Sequence, residues 1–160
     1  GKASFISEEI PVTGEKREII NETFTFNEKE YKATCLTVGN PHCIIFADKV
    51  SKEAVKELGP YVENADEFPN RMNLQLCRLI DRGNLDIEIW ERGSGYTKAS
   101  GTGSCAAAAA AYRLGLVEPR INVNQPGGMI QINIKEDGTI YMTGTVGFIA
   151  DISIAQSFFS

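Results

Sequence analysis

The chain has 160 residues, 42% of them hydrophobic and 23% charged. That is enough apolar material for one core and too ordinary a charge content for a disordered chain. A net charge of −5 gives no basic footprint, so nucleic acid and anionic membrane surfaces are excluded as expected partners. No run of about 20 apolar residues is present to span a bilayer. The opening GKASFISEEIPV lacks the basic-then-apolar layout of a secretory signal, so a cytoplasmic protein is expected.

In chain order, Arg17 to Phe26 alternates loosely, Tyr31 to Val38 is rich in strand formers, and His42 to Ala47 is a short apolar run. All three are expected strands. Ser51 opens a helix with Glu53, Ala54, Val55 and Leu58, which Gly59-Pro60 is expected to stop. Met72 to Asp81 and Leu85 to Trp90 are two further strands about an Arg82-Gly83-Asn84 turn.

Ser104 to Leu116 is the clearest helix, with six consecutive alanines from Ala106 to Ala111. Alanine is the best helix former, and its thin side chain lets sheets approach from several sides, so the helix is expected at the centre of the domain. Strands at Arg120 to Asn124, Met129 to Ile134 and Ile140 to Thr143 follow. With connections read as too short for strand–helix–strand crossovers, the expectation is one α+β domain over residues 1–160. Its sheet is mostly antiparallel or mixed, and it wraps around the Ala-rich helix.

The four cysteines, Cys35, Cys43, Cys77 and Cys105, form no CxxC pair and lie in or beside apolar segments. They are expected as buried free thiols, and the single His42 argues against a zinc site, so no metal is expected.

Three segments and Asn73 carry chemistry. Ser100-Gly101-Thr102-Gly103-Ser104 precedes the alanine helix, where unpaired N–H groups could hold a carboxylate or phosphate. The plainer alternative is that Ser100 or Thr102 only caps the helix. Glu91-Arg92-Gly93-Ser94-Gly95 could grip the two charges of an amino-acid end, or Glu91 and Arg92 could form an idle surface ion pair. Asn40 and His42, in Gly39-Asn40-Pro41-His42, and Asn73 are amide and imidazole groups that serve equally in turns.

Taken together and in order, these segments, with Phe68-Pro69-Asn70-Arg71-Met72-Asn73, Pro126-Gly127-Gly128 and Tyr141-Met142-Thr143-Gly144, resemble the C-terminal half of diaminopimelate epimerases. The resemblance implies a C-terminal lobe whose N-terminal lobe lies outside these residues, with the active site in the cleft between two similar lobes. It implies an isomerase of lysine biosynthesis that moves a proton at an α-carbon without pyridoxal phosphate, metal or other cofactor, LL-/meso-diaminopimelate being the default small-molecule substrate.

Asn40, Asn73, Glu91 and Arg92 would bind the substrate, and Gly101 and Thr102 would offer N–H groups to its reacting carboxylate, with His42 near the site. Ser100 stands where the family has its second catalytic cysteine, and Tyr96 where it has a glutamate. The isolated lobe is expected to be inactive, its partner is the N-terminal lobe of the same protein, and a homodimer stays open. Residues Ala150 to Ser160 are expected to reach toward that other lobe. The alternatives are a related racemase or hydroxyproline-type dehydratase using one thiol, and a non-catalytic binding or dimerisation module.

Overall fold

A computed structural model describes residues 1–159. The fold is α+β. Its strands are β1 (Glu22–Phe26), β2 (Lys29–Thr37), β3 (Pro41–Phe46), β4 (Asn73–Asp81), β5 (Asn84–Glu91), β6 (Gly95–Thr97), β7 (Arg120–Gln125), β8 (Gly128–Ile134) and β9 (Ile140–Thr143). Two α-helices, α1 (Lys52–Glu63) and α2 (Gly101–Arg113), and a final 3-10 turn at Gln156–Phe159 complete the described elements. The strands form one sheet in the order β1-β2-β3-β4-β5-β7-β8-β9, with β6 also paired to β5.

Strand periodicity divides the core between the two sheet faces. Leu36, Ile44, Cys77, Leu85, Ile87, Ile89 and Ile132 pack with the alanines of α2. Cys35, Cys43, Ile45, Leu74 and Leu76 face the other way, with Val55, Leu58 and Val62 of α1 and with Phe24, Phe26 and Phe68. All six residues from Ala106 to Ala111 are buried, so α2 is enclosed all round, as its composition predicts.

The structure corrects several boundaries. The sheet is mainly antiparallel, but β3 pairs with β4 and β5 with β7 in parallel. Each parallel pair is bridged by a helix, so the two intervals read as too short for crossovers do contain them. The first strand starts at Glu22 rather than Arg17, because Asn21 turns to a φ of 51° and its N–H donates to Thr34 Oγ1.

Helix α1 runs through Gly59-Pro60 to Glu63. Pro60 forfeits one helical N–H, and the last turn is held by Asn64, whose N–H and Nδ2 both donate to the Pro60 carbonyl. Helix α2 starts three residues earlier than expected, with Ser100 as its cap. It closes at Gly115, φ +72°, where Gly115 N donates to Tyr112 O and Leu116 N to Ala111 O, a Schellman ending that only a left-handed residue permits.

The far edge of β5 changes partner along its length, from β7 at Asn84–Asp86 to β6 at Ile89–Glu91. Residues 98–100 run from β6 to the start of α2 past this split, with Gly127 N donating to Lys98 O at 2.7 Å. A side chain on Gly127 would meet Ala99 Cβ at 2.9 Å and Lys98 O at 3.0 Å. The Pro126-Gly127-Gly128 turn therefore supports the strand-to-helix loop from beneath.

Candidate active site

The start of α2 is the centre of the site. Ser100 Oγ accepts from Gly103 N at 3.2 Å, which is how a serine satisfies an otherwise orphaned helical donor. The N–H of Ser100 donates to Gln125 Oε1 at 2.9 Å, and Ser104 Oγ donates back to Ser100 O at 2.9 Å. Ser100 is therefore fixed from three sides and only 7% exposed. The N–H groups of Gly101 and Thr102, first in the helix, have no acceptor within it and point outward at the positive end of the dipole.

Packing also explains the two glycines. A Cβ on Gly101 would meet Met142 Sδ at 3.1 Å, and one on Gly103 would meet Gln75 Nε2 at 3.0 Å and Ser100 Oγ at 3.1 Å. Room for neighbouring side chains, not only approach to a ligand, favours glycine there.

A polar chain joins this helix start to the sheet. Asn40 Nδ2 donates to Thr102 Oγ1 at 3.4 Å, Asn40 Oδ1 lies 3.1 Å from His42 Nε2, and His42 Nδ1 lies 2.9 Å from Gln75 Oε1. His42 is 1% exposed. Burial, reinforced by the nearby charge of Arg92 and opposed by the Gln75 contact, pushes its imidazole down to about 4, so the ring is neutral at physiological pH.

A neutral ring has one N–H, whereas both of its nitrogens face amide oxygens. Gln75 Nε2 is buried without a partner. With that amide turned over, Gln75 donates to Nδ1 and His42 donates from Nε2 to Asn40, which pairs both ring nitrogens and leaves the Gln75 oxygen in the place of the orphaned nitrogen.

The sign of the pH effect follows from that depressed value. The unfolded imidazole, at its ordinary 6.5, takes up a proton before the folded one does. His42 therefore contributes full stability above pH 6.5 and loses it as pH falls from 6.5 toward 4, a loss on the order of 3 kcal/mol. The proton NMR signal of this single histidine should stay at its neutral position down to about pH 5. A midpoint near 6.5 would show an accessible ring instead.

The second cluster lies at the β5–β6 turn. Asn73, 4% exposed, donates from Nδ2 to Pro41 O at 2.6 Å and accepts from Arg92 N at 3.0 Å. Both ends of its amide hold backbone, so Asn73 shapes the site. The Arg92 guanidinium donates to Asn70 O at 2.8 Å, and among the described residues no ion pair joins it to Glu91. The two clusters are adjacent because His42 and Asn73 are register partners across β3 and β4.

Tyr96 pairs with Trp90 across β5 and β6 and lies under Lys52 of α1, whose Nζ is 5.4 Å from the ring centroid. Cys105 is half-buried against the alanine core. Burial raises its thiol above the ordinary value, as expected of a structural thiol. Cys35, Cys43 and Cys77 are free and buried. Among the described residues, no group of three or more His, Cys, Asp or Glu side chains could hold a metal ion.

Sequence reasoning missed Gln75, Gln125 and Glu63. Gln75 had a signal, a lone amide inside the apolar run Leu74-Gln75-Leu76-Cys77. The other two had none, since their partners lie far along the chain.

Comparison with known proteins places this arrangement. The diaminopimelate epimerase family model matches residues 34–149, the stretch that contains both clusters. The chain is 45% identical over 160 residues to "Diaminopimelate epimerase 2" of Nostoc sp., covering 100% of this chain and 56% of the relative. It is 40% identical over 139 residues to the diaminopimelate epimerase of Bacillus cytotoxicus, covering 85% and 48%. For that of Methanococcus maripaludis the identity is 38% over 157 residues, covering 96% and 57%. The chain thus spans about half the length of these curated relatives, and with most of its residues inside the family model it belongs to the diaminopimelate epimerase family.

Proposed function

We propose that this chain is the C-terminal lobe of an epimerase that inverts an α-carbon of diaminopimelate, and that it works only with an N-terminal lobe. One observation carries the reading: Asn40, His42, Gln75, Ser100 and Thr102 come from separate elements and meet at the α2 start, beside the Asn73–Arg92 cluster. One end can hold a carboxylate on outward N–H groups, and the other presents a carboxylate and a guanidinium to a zwitterion. An α-proton is very weakly acidic, so a carboxylate held on a helix dipole in a dry cleft lowers the cost of the developing carbanion.

In this reading the protons move between side chains and the α-carbon, with no pyridoxal phosphate or metal taking part. A thiol from the other lobe takes the proton on one face, and Ser100 stands on the opposite face. The exposed apolar residues Val146, Phe148, Ile149 and Ile152 support a second lobe that covers them, which is what the segment from Ala150 onward would reach.

Ser100 favours one second reading. A hydroxyl is far less acidic than a thiol, and this one is already engaged as a cap, so a one-thiol racemase or hydroxyproline-type dehydratase would tolerate it.

The deciding experiment uses the two-lobe protein in deuterated water with LL-diaminopimelate and with hydroxyproline. Exchange of the α-proton with inversion of diaminopimelate supports the epimerase. Exchange without inversion supports the one-thiol enzyme, and exchange with neither substrate leaves a non-catalytic module. Ser100→Cys is expected to raise epimerisation by about ten-fold or more, the scale of a positioned acid. No increase would mean that the site serves other chemistry.

A further inference from the structure

Glu63 ends α1 and lies outside the segments considered above. Its side chain is 8% exposed. One oxygen, Oε2, accepts from Trp90 Nε1 at 2.6 Å. The other, Oε1, accepts from Gly93 N at 2.8 Å and from the Arg71 guanidinium. Trp90 immediately precedes Glu91, and Gly93 immediately follows Arg92. One carboxylate therefore anchors both flanks of the Glu91–Arg92 pair, while Arg92 N itself is held by Asn73.

The turn needs such an anchor. Gly93 and Gly95 take φ values of +78° and +76°, conformations that glycine populates without committing to them. Arg71, φ +62°, brings the Asn70–Asn73 loop to the same carboxylate. Burying a carboxylate is costly unless its lone pairs are filled, and an apolar residue would serve plain packing at less cost. Here the donors come from the end of β5, from the turn and from the loop beside it.

We propose that Glu63 is the positioning residue that sets the Glu91–Arg92 turn in its substrate-gripping conformation. This rests on the reading above that Glu91 and Arg92 bind the far end of the substrate. Burial alone would push this carboxyl up, but Trp90, Gly93 and Arg71 outweigh it and hold the group below its ordinary value, so it remains ionised at neutral pH.

Glu63→Gln tests the proposal in the full protein that contains this lobe. The amide keeps one acceptor and turns a donor against either the indole N–H or the Gly93 and Arg71 donors. The backbone amide signals of Arg92 and Gly93 and the Trp90 indole signal should shift. KM for diaminopimelate should rise by about ten-fold or more while kcat changes by less than about three-fold, because the lost interaction lies away from the α2 start. Glu63→Asp, which keeps the charge, should recover part of the KM.

Trp90→Phe, which deletes a single donor and keeps a ring, should move the Gly93 amide in the same direction by less, and it decides the matter if the glutamine variant does not fold. Unshifted Arg92 and Gly93 amides would overturn the proposal. So would shifted amides with unchanged KM in a protein that turns diaminopimelate over. If the wild-type protein neither binds nor turns over diaminopimelate, the functional reading has failed on its own, and the amide shifts alone decide whether Glu63 sets the turn.

Discussion

Asn73→Leu is expected to destabilise the fold by about 3 kcal/mol and to weaken substrate binding together with it. The leucine matches the asparagine in size but leaves the Pro41 carbonyl without its 2.6 Å donor and the Arg92 N–H without its 3.0 Å acceptor. A buried group stripped of its partner costs about 1–3 kcal/mol. The Pro41 contact is buried and the Arg92 contact only partly so, which puts the sum in the lower half of the combined range of about 2–6 kcal/mol. The denaturation midpoint in urea should fall with no change in slope, since the surface exposed on unfolding is the same. Asn73→Asp is the informative companion: it keeps the acceptor for Arg92 but aims a charged oxygen at the Pro41 carbonyl, and should cost at least as much. A leucine variant as stable as wild type would show that water satisfies both groups.

Gly59→Ala is expected to cost about 2 kcal/mol although alanine is the better helix former. A Cβ at Gly59 would lie 2.3 Å from Trp90 Cδ2 and 2.4 Å from Cγ, inside any real contact distance, and a wedged indole ring has no flexible end to swing away. Overpacking of this kind costs about 1–3 kcal/mol and occasionally more, against roughly 1 kcal/mol recovered from helix propensity. The ring can yield only by moving, and its N–H is tied to Glu63 Oε2. The loss of stability should therefore come with a red-shifted emission from Trp90, the single tryptophan of this chain. Unchanged emission would mean that α1 moves rather than the indole.

The same contact shows where sequence reasoning stops. Gly59-Pro60 is an ordinary helix terminator by local chemistry, and nothing nearby reveals that the glycine is there to admit Trp90 from β5. By contrast the alanine helix was legible, because six alanines carry both a strong propensity and a small radius, and its buried setting follows directly. Its first residue was not, since Ser100 and Thr102 are both able to cap and only the Ser100–Gly103 bond separates them. The parallel seams were hidden because strand patterns do not encode direction. At the site, the residues named from motifs do converge on the α2 start and the β5–β6 turn. The roles of Asn73 and Glu63 depend on partners such as Trp90, 27 residues from Glu63, and a local pattern does not carry such partners.

The two crossovers also set a tempo for assembly. The β1–β2 and β7–β8 hairpins join sequence neighbours and can form within microseconds. The β3–β4 and β5–β7 seams bring together residues such as His42 and Gln75, 33 positions apart, and Asn84 and Asn122, 38 apart. Each seam must wait for its helix to dock and for a long loop to close, and entropy makes such closures late. The His42–Gln75 contact straddles the first seam, and the loop leading to Ser100 passes the second, so these contacts are expected to form after the hairpins.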